Sequence, residues 1–195
     1  PLSSSAFTSA DYCEEGAVAV RLGNIGFAEY RARDEARIPL DLFRTLLRHR
    51  VLPGDLLIAG LGDANNHAGR ACVAPDLGEA IVKGKCFCGR VDANVADASY
   101  LALVLSSSLG AEALGTGARG STRSMINLEV VKNATIPLPP LDVQRRIVTR
   151  IQATRASSTA LISRLDRQLE LLVEHRQALI TAAVTGRTEV HGVAT

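Results

Sequence analysis

The most constraining feature of this chain is a change of texture at Ile136-Pro137-Leu138-Pro139-Pro140-Leu141. Prolines this dense can neither continue a helix nor sit in a central strand. Beyond them no further Pro occurs, and no Gly before Gly186. The stretch 142–185 therefore reads as one helix, with Asp142 expected as its N-cap and Thr185-Gly186 as its stop. It covers 44 residues, about 65 Å if fully helical, against about 11–12 residues for an average globular helix.

Its apolar pattern suggests why it is so long. Ile151, Ser158, Leu165, Leu172 and Leu179 recur every seven residues, and Ile147, Thr154, Leu161, Gln168 and His175 form a second seam. Ile162 and Leu169 widen the stripe. A heptad stripe of this kind is the signature of helix pairing. A domain of the size that precedes it is too small to cover the stripe by itself. The expected pairing residues are Ile147, Ile151, Leu161, Ile162, Leu165, Leu169, Leu172 and Leu179.

The rest of the sequence predicts an α+β fold. Residues 17–22 and 56–59 are short apolar runs with strand character, as are 71–74 and 81–82, while 40–50 has helical spacing and Asp97 is placed to cap a helix through Leu105. Aromatic residues are only 4% and Trp is absent, so small and aliphatic side chains must build the core. No apolar run reaches the length of about 18 residues that a membrane span needs. The four cysteines are irregularly spaced and form no disulfide framework, which points to a reducing, cytoplasmic setting. The N-terminus lacks an initiator Met and a signal-peptide pattern and reads as a trimmed edge.

Catalytic motifs fail on spacing. Gly60-Leu61-Gly62-Asp63-Ala64-Asn65 resembles a dinucleotide loop but carries Asn65 where the third Gly belongs. Pro75-Asp76 and Glu79 precede Lys83 by the wrong interval for a metal-dependent nuclease. Cys86 and Cys88, two apart, lack the spacing of a zinc site and read as small apolar groups. No cofactor, no metal and no catalytic residue is expected.

Loops are more informative. Residues 115–124 combine Arg119 and Arg123 with Ser121 and Thr122 among glycines, a mixture suited to phosphates and base edges. Asn65, Asn66, His67 and Arg70 make a second such loop, and asparagine can pair bidentately with adenine. Lys83 and Lys85 supply two of only three lysines, against 19 arginines. These ten residues are the candidate contacts for phosphates and base edges. Bulk charge gives no such hint: residues 1–141 carry 14 Lys and Arg against 15 acids, and 142–195 carry eight against five.

Gly120-Ser121-Thr122-Arg123, Ile126-Asn127, the proline run and Gln144-Arg145-Arg146-Ile147-Val148 resemble the target-recognition domain and following helix of type I restriction–modification specificity subunits. Leu169–Leu172, His175–Ile180 and Ala183–Gly186 extend the likeness, and Val20–Ile25 with Pro53–Leu57 resemble the family's early strand and Gly-Asp turn. Val143 departs from the glutamate the family commonly places there. The resemblance implies a target-recognition domain (1–141), a dimerisation and spacer helix (142–185) and a tail (186–195). It also implies a non-catalytic subunit that binds double-stranded DNA and docks methyltransferase and restriction subunits. A complete subunit of that kind carries two recognition domains and two helices, so one of each suggests a half-length form that homodimerises. Two alternatives stand beside it: the carboxyl-terminal half of a two-domain subunit, and a coiled-coil module whose nearly neutral head binds protein rather than DNA.

Overall fold

Ala17-Val18-Ala19-Val20 is apolar at every position rather than alternating, a pattern that demands cover on both faces. In the computed structural model, which describes residues 7–63, 65–115 and 124–187, it forms strand β1 (Ala17–Val20), all four residues of which are buried. The chain then adds β2 (Ala36–Ile38), helix α1 (Leu40–Thr45), β3 (Leu56–Ala59), β4 (Ala71–Val73), β5 (Ala80–Val82) and β6 (Cys86–Gly89). Helices α2 (Ala98–Leu105), α3 (Ser108–Ala113), α4 (Leu128–Asn133) and α5 (Leu141–Val184) follow.

The strands form two three-stranded sheets, β2-β1-β5 and β4-β3-β6. In the first, β1 pairs antiparallel with β2 and parallel with β5, Ala19 opposite Ala36 and Ile81. In the second, β3 lies antiparallel to both neighbours, with Leu57 opposite Cys72 and Cys88. Alternation along each central strand then sorts the core. Val18 and Val20 meet Leu57, Ala59, Cys72 and Cys86 between the sheets. Ala17 and Ala19 turn to the other side, against Phe43 and Leu46 of the α1 region. Leu56 and Ile58 face Ala102 and Leu105 of α2. The result is a helix–sheet–sheet–helix stack in which alanines at Ala17, Ala19, Ala59, Ala71 and Ala80, all wholly buried, let the layers approach closely. Cys72 and Cys86 behave as small core residues; burial pushes both thiols up to about 12.

Local signals place the helices. Asp97 Oδ1 accepts from Tyr100 N–H at 3.1 Å, so Asp97 caps α2. Tyr100, in turn, donates its hydroxyl to Pro137 O at 3.0 Å and holds the proline run against the domain. Helix α5 starts one residue before the sequence suggested. Pro140 O accepts the first helical bond, from Gln144 N at 3.0 Å, so Asp142 lies inside the first turn instead of capping it. There its charge complements the positive end of the helix dipole. The far end is as expected. Gly186 adopts φ +69, Gly186 N donates to Ala183 O at 3.2 Å and Arg187 N to Ala182 O at 2.8 Å. These paired bonds satisfy the last carbonyls, and the left-handed position selects glycine.

The chain divides into two compact units, 1–148 and 149–195, with the boundary inside α5. Within the first unit the opening turns of α5 are packed: Gln144 is wholly buried and Val148 nearly so. No described helix is long and apolar enough to cross a membrane.

Candidate nucleic-acid interface

The sequence separates three polar segments: the loop after β3, the turn between β5 and β6, and the segment after α3. The structure joins them at Gly60. Gly60 N donates to Lys85 O at 2.6 Å, and Gly60 O accepts from Ile126 N at 2.9 Å. Leu61 bridges to Met125. Gly62 N donates to Ser124 O at 2.8 Å, and Ser124 Oγ accepts from Ala68 N at 3.4 Å. Both glycines are required by this approach. A Cβ on Gly60 would lie 2.6 Å from Lys85 O, and one on Gly62 would lie 2.6 Å from both Ala68 N and Ser124 Oγ. The Gly-x-Gly that resembles a dinucleotide loop is therefore a junction of three backbone segments. The reason for this spacing lies outside the local sequence, because the partners are 25 and more than 60 positions away.

The loop after β3 is folded on itself. Asp63 Oδ1 accepts from Asn65 N at 2.9 Å, Asn66 N at 3.0 Å and Asn66 Nδ2 at 2.9 Å. The Asn66 side-chain bond, the Asn65 N–H bond and weaker contributions hold the Asp63 carboxyl below its ordinary value. Asn65 is exposed, while Asn66 is half-buried with its amide committed to Asp63. His67 is half-buried too. Its Nδ1 lies 2.9 Å from Ala68 O and its Nε2 3.3 Å from Ser106 O, and the ring tilts against Phe27 with centroids 5.3 Å apart.

Arg70 departs from the expectation of a DNA contact. It is only 4% exposed, and its guanidinium is consumed by the main chain. Nε donates to Ile25 O at 2.8 Å, Nη1 to Leu61 O and His67 O at 3.1 Å each, and Nη2 to Leu22 O at 3.1 Å. A group with five fixed donors is the side chain suited to tying four carbonyls together. Arg70 holds the loop in place and is not available to a ligand.

Lys83 is half-buried, its ammonium 4.7 Å from the Phe7 ring centroid and 4.3 Å from that of Tyr12, and it donates to Tyr12 Oη at 2.7 Å. Lys85 is exposed at the tip of the same turn. Arg119, Ser121, Thr122 and Arg123 lie outside the described residues. The chain on either side of them is placed, and Ser124 brings it back beside Gly62.

Along α5 the expected pairing residues differ in exposure. Ile147 and Ile151 are half-buried. Leu161, Ile162, Leu165, Leu169, Leu172 and Leu179 are between 50% and 64% exposed, an uncovered apolar row on a helix of 44 residues.

The model of the type I restriction modification DNA specificity domain matches residues 54–171 of this chain. The chain belongs to that family. The match runs from the turn before β3, across the loops that meet at Gly60, and well into α5. The role of a specificity domain is DNA recognition within a type I restriction–modification system. No curated protein matches the chain.

Proposed function

We propose that this specificity subunit reads one half of a bipartite DNA target with the loops that meet at Gly60, and pairs through α5 with a second copy that reads the other half. Methyltransferase and restriction subunits dock on this assembly, and the chain itself performs no catalysis. The family match over both loops and helix carries the reading. It is supported by the uncovered row of Leu and Ile on α5, each between 50% and 64% exposed and so worth about 1–2 kcal/mol when the remainder is removed from water. Asn65, Arg119, Ser121, Thr122 and Arg123 are the residues assigned to base readout, with Asn66 and His67 shaping the loop beside them. A two-fold pair of heads predicts two inverted half-sites with a spacer of fixed length.

Sequencing of DNA methylation in cells with and without the gene tests this. The expected result is a bipartite, inverted methylated motif that vanishes with the gene. An unchanged methylome alongside an active methyltransferase would overturn it.

A further inference from the structure

Beside the Lys83–Lys85 turn lies a cleft of about 420 Å3 whose chemistry goes beyond two lysines. One wall is the turn 21–24, the other the turn 83–85, and Arg33 and Asp34 close one side. Four cations thus line it, Arg21, Arg33, Lys83 and Lys85, against the single carboxylate of Asp34. None of the four forms an ion pair among the described residues, although the head as a whole is slightly acidic.

Two of these cations are fixed in place. The Lys83 ammonium sits over the faces of Phe7 and Tyr12 with one of its three donors on Tyr12 Oη. Arg21 lies 5.9 Å from the Tyr12 centroid, and its Nη2 donates to the carbonyl of Asp34. Aromatic faces and carbonyls orient cations without neutralising them, so both keep charge and spare donors for an anion. Arg33 and Lys85 are exposed and free to close on it. Gly84 has φ +65 and open space where a Cβ would be, so the backbone at that turn is bare to an approaching ligand. The cleft also connects with the recognition loops, because Lys85, at its rim, accepts from Gly60 N.

We propose that this cleft is a clamp for the sugar–phosphate backbone of DNA, gripping phosphodiesters that flank the bases read by the Gly60 loops. This rests on the DNA-reading role proposed above and adds a sequence-independent contact to it. Phosphate contacts set register and affinity, whereas base contacts set preference. The two kinds of residue should therefore separate by experiment.

The test uses the full chain with the R33Q/K85Q double variant and, separately, R21Q, on duplexes carrying the methylated target motif and on scrambled duplexes, across a salt series. Exposed Arg33 and Lys85 should not affect folding, which an unchanged thermal midpoint verifies. Each phosphate contact adds about 0.9 to the slope of log affinity against log salt. The double variant should lower that slope by about 1–2 and weaken target and scrambled DNA alike, by about tenfold. Duplexes with neutral methylphosphonates beside the half-site should reproduce the loss in the wild-type chain and add little in the variant. An unchanged slope in the variant, or a loss confined to the target sequence, would overturn the clamp while leaving the DNA-reading role intact. A wild-type chain indifferent to sequence at every salt concentration would instead overturn the role on which the clamp rests.

Discussion

Gln144, on the second turn of α5, accepts a hydrogen bond from the backbone N–H of Asp97 at 2.8 Å, the same residue whose carboxylate caps α2. The Gln144 amide completes the tie by donating to Pro139 O at 2.7 Å and Val95 O at 3.4 Å. A wholly buried glutamine thus meets three backbone groups that have left water. The substitution Gln144→Ala removes the partner of all three. With about 1–3 kcal/mol for each buried group left unsatisfied, and some relief from water entry, a loss of about 2–4 kcal/mol is expected. Guanidinium unfolding of the full chain measures it. Gln144→Glu should also destabilise, because a carboxylate keeps the acceptor for Asp97 but supplies no donor to Pro139 or Val95. A midpoint unmoved by both changes would remove Gln144 from the anchoring of the helix.

Arg70 separates scaffold from contact. Replacing it by Gln or Leu strands the carbonyls of Leu22, Ile25, Leu61 and His67, and the expected cost is about 3 kcal/mol or more. Arg70→Lys should recover little, since an ammonium has three donors at one point and cannot span the four acceptors. Denaturation curves should show the loss without any DNA present. Were R70Q to unfold like the parent chain and lose only DNA affinity, the residue would be a contact after all.

The junction at Gly60 and Gly62 predicts sensitivity to a single methyl group. Gly62→Ala places a Cβ within 2.7 Å of Asn66 O as well as Ala68 N and Ser124 Oγ, so the backbone must move apart. Stability should fall by about 1–3 kcal/mol, and hydrogen exchange should quicken at Ala68 and at Ile126, whose N–H bonds stitch the loops together. Gly84→Ala is the natural comparison: it has open space but a left-handed φ, so it should cost about 1 kcal/mol and leave exchange at Ala68 unchanged. Equal exchange behaviour in the two variants would contradict the junction.

These residues also mark how far a sequence can be read. Local chemistry was legible: Asp97 capping α2, Gly186 ending α5, and the apolar runs of β1, β3, β4 and β5 all depend on neighbours within a few positions. Asp142 misled because Pro140 already supplies the first helical acceptor, leaving an acidic residue two positions later with dipole complementarity alone. Long-range pairing was not legible. Nothing near Ala17 or Ala80 announces a parallel β1–β5 pair, and β6 reads as a strand only once Leu57 is seen opposite Cys88. The same distance hides the site. Arg70 looks like a solvated loop cation until Leu22 and Ile25 are placed around it, and Tyr12 shows no link to Lys83, which lies 71 positions away.

Asp55 makes stability depend on acid. Burial alone would raise its carboxyl, but hydrogen bonds from Arg90, Leu52 N–H and the Cys88 thiol, together with the charge of Arg90, outweigh burial and hold it below the ordinary value of 3.8. A depressed folded-state value means the ionised form stabilises the fold. That contribution is complete above the unfolded value and disappears as pH falls through the lower folded one. Asp55→Asn should therefore destabilise most at neutral pH, and the gap between variant and parent should narrow below about pH 4. Urea midpoints at pH 7, 5 and 3 follow the gap. A difference that stays constant over that range would place the effect of Asn on packing rather than charge.

The exposed row on α5 yields the sharpest prediction about assembly. Leu165 and Leu172 are 50% and 64% exposed and one heptad apart, so a partner helix that covers one covers the other. Their double replacement by Asp puts two carboxylates into any such seam, where each would lose water without gaining a cation. The parent chain should behave as a dimer by multi-angle light scattering at micromolar concentration, and L165D/L172D as a monomer with an unchanged head, checked by the near-ultraviolet signal of the tyrosines. Arg167 and Glu170 form an exposed ion pair at 3.2 Å within the helix, and an exposed pair contributes little, so R167Q should leave the dimer intact. That contrast makes the prediction about the apolar row and not about charge on the helix in general. A dimer that survives both aspartates would move the pairing surface elsewhere, and a parent chain that remains monomeric at high concentration would leave the row to a different partner.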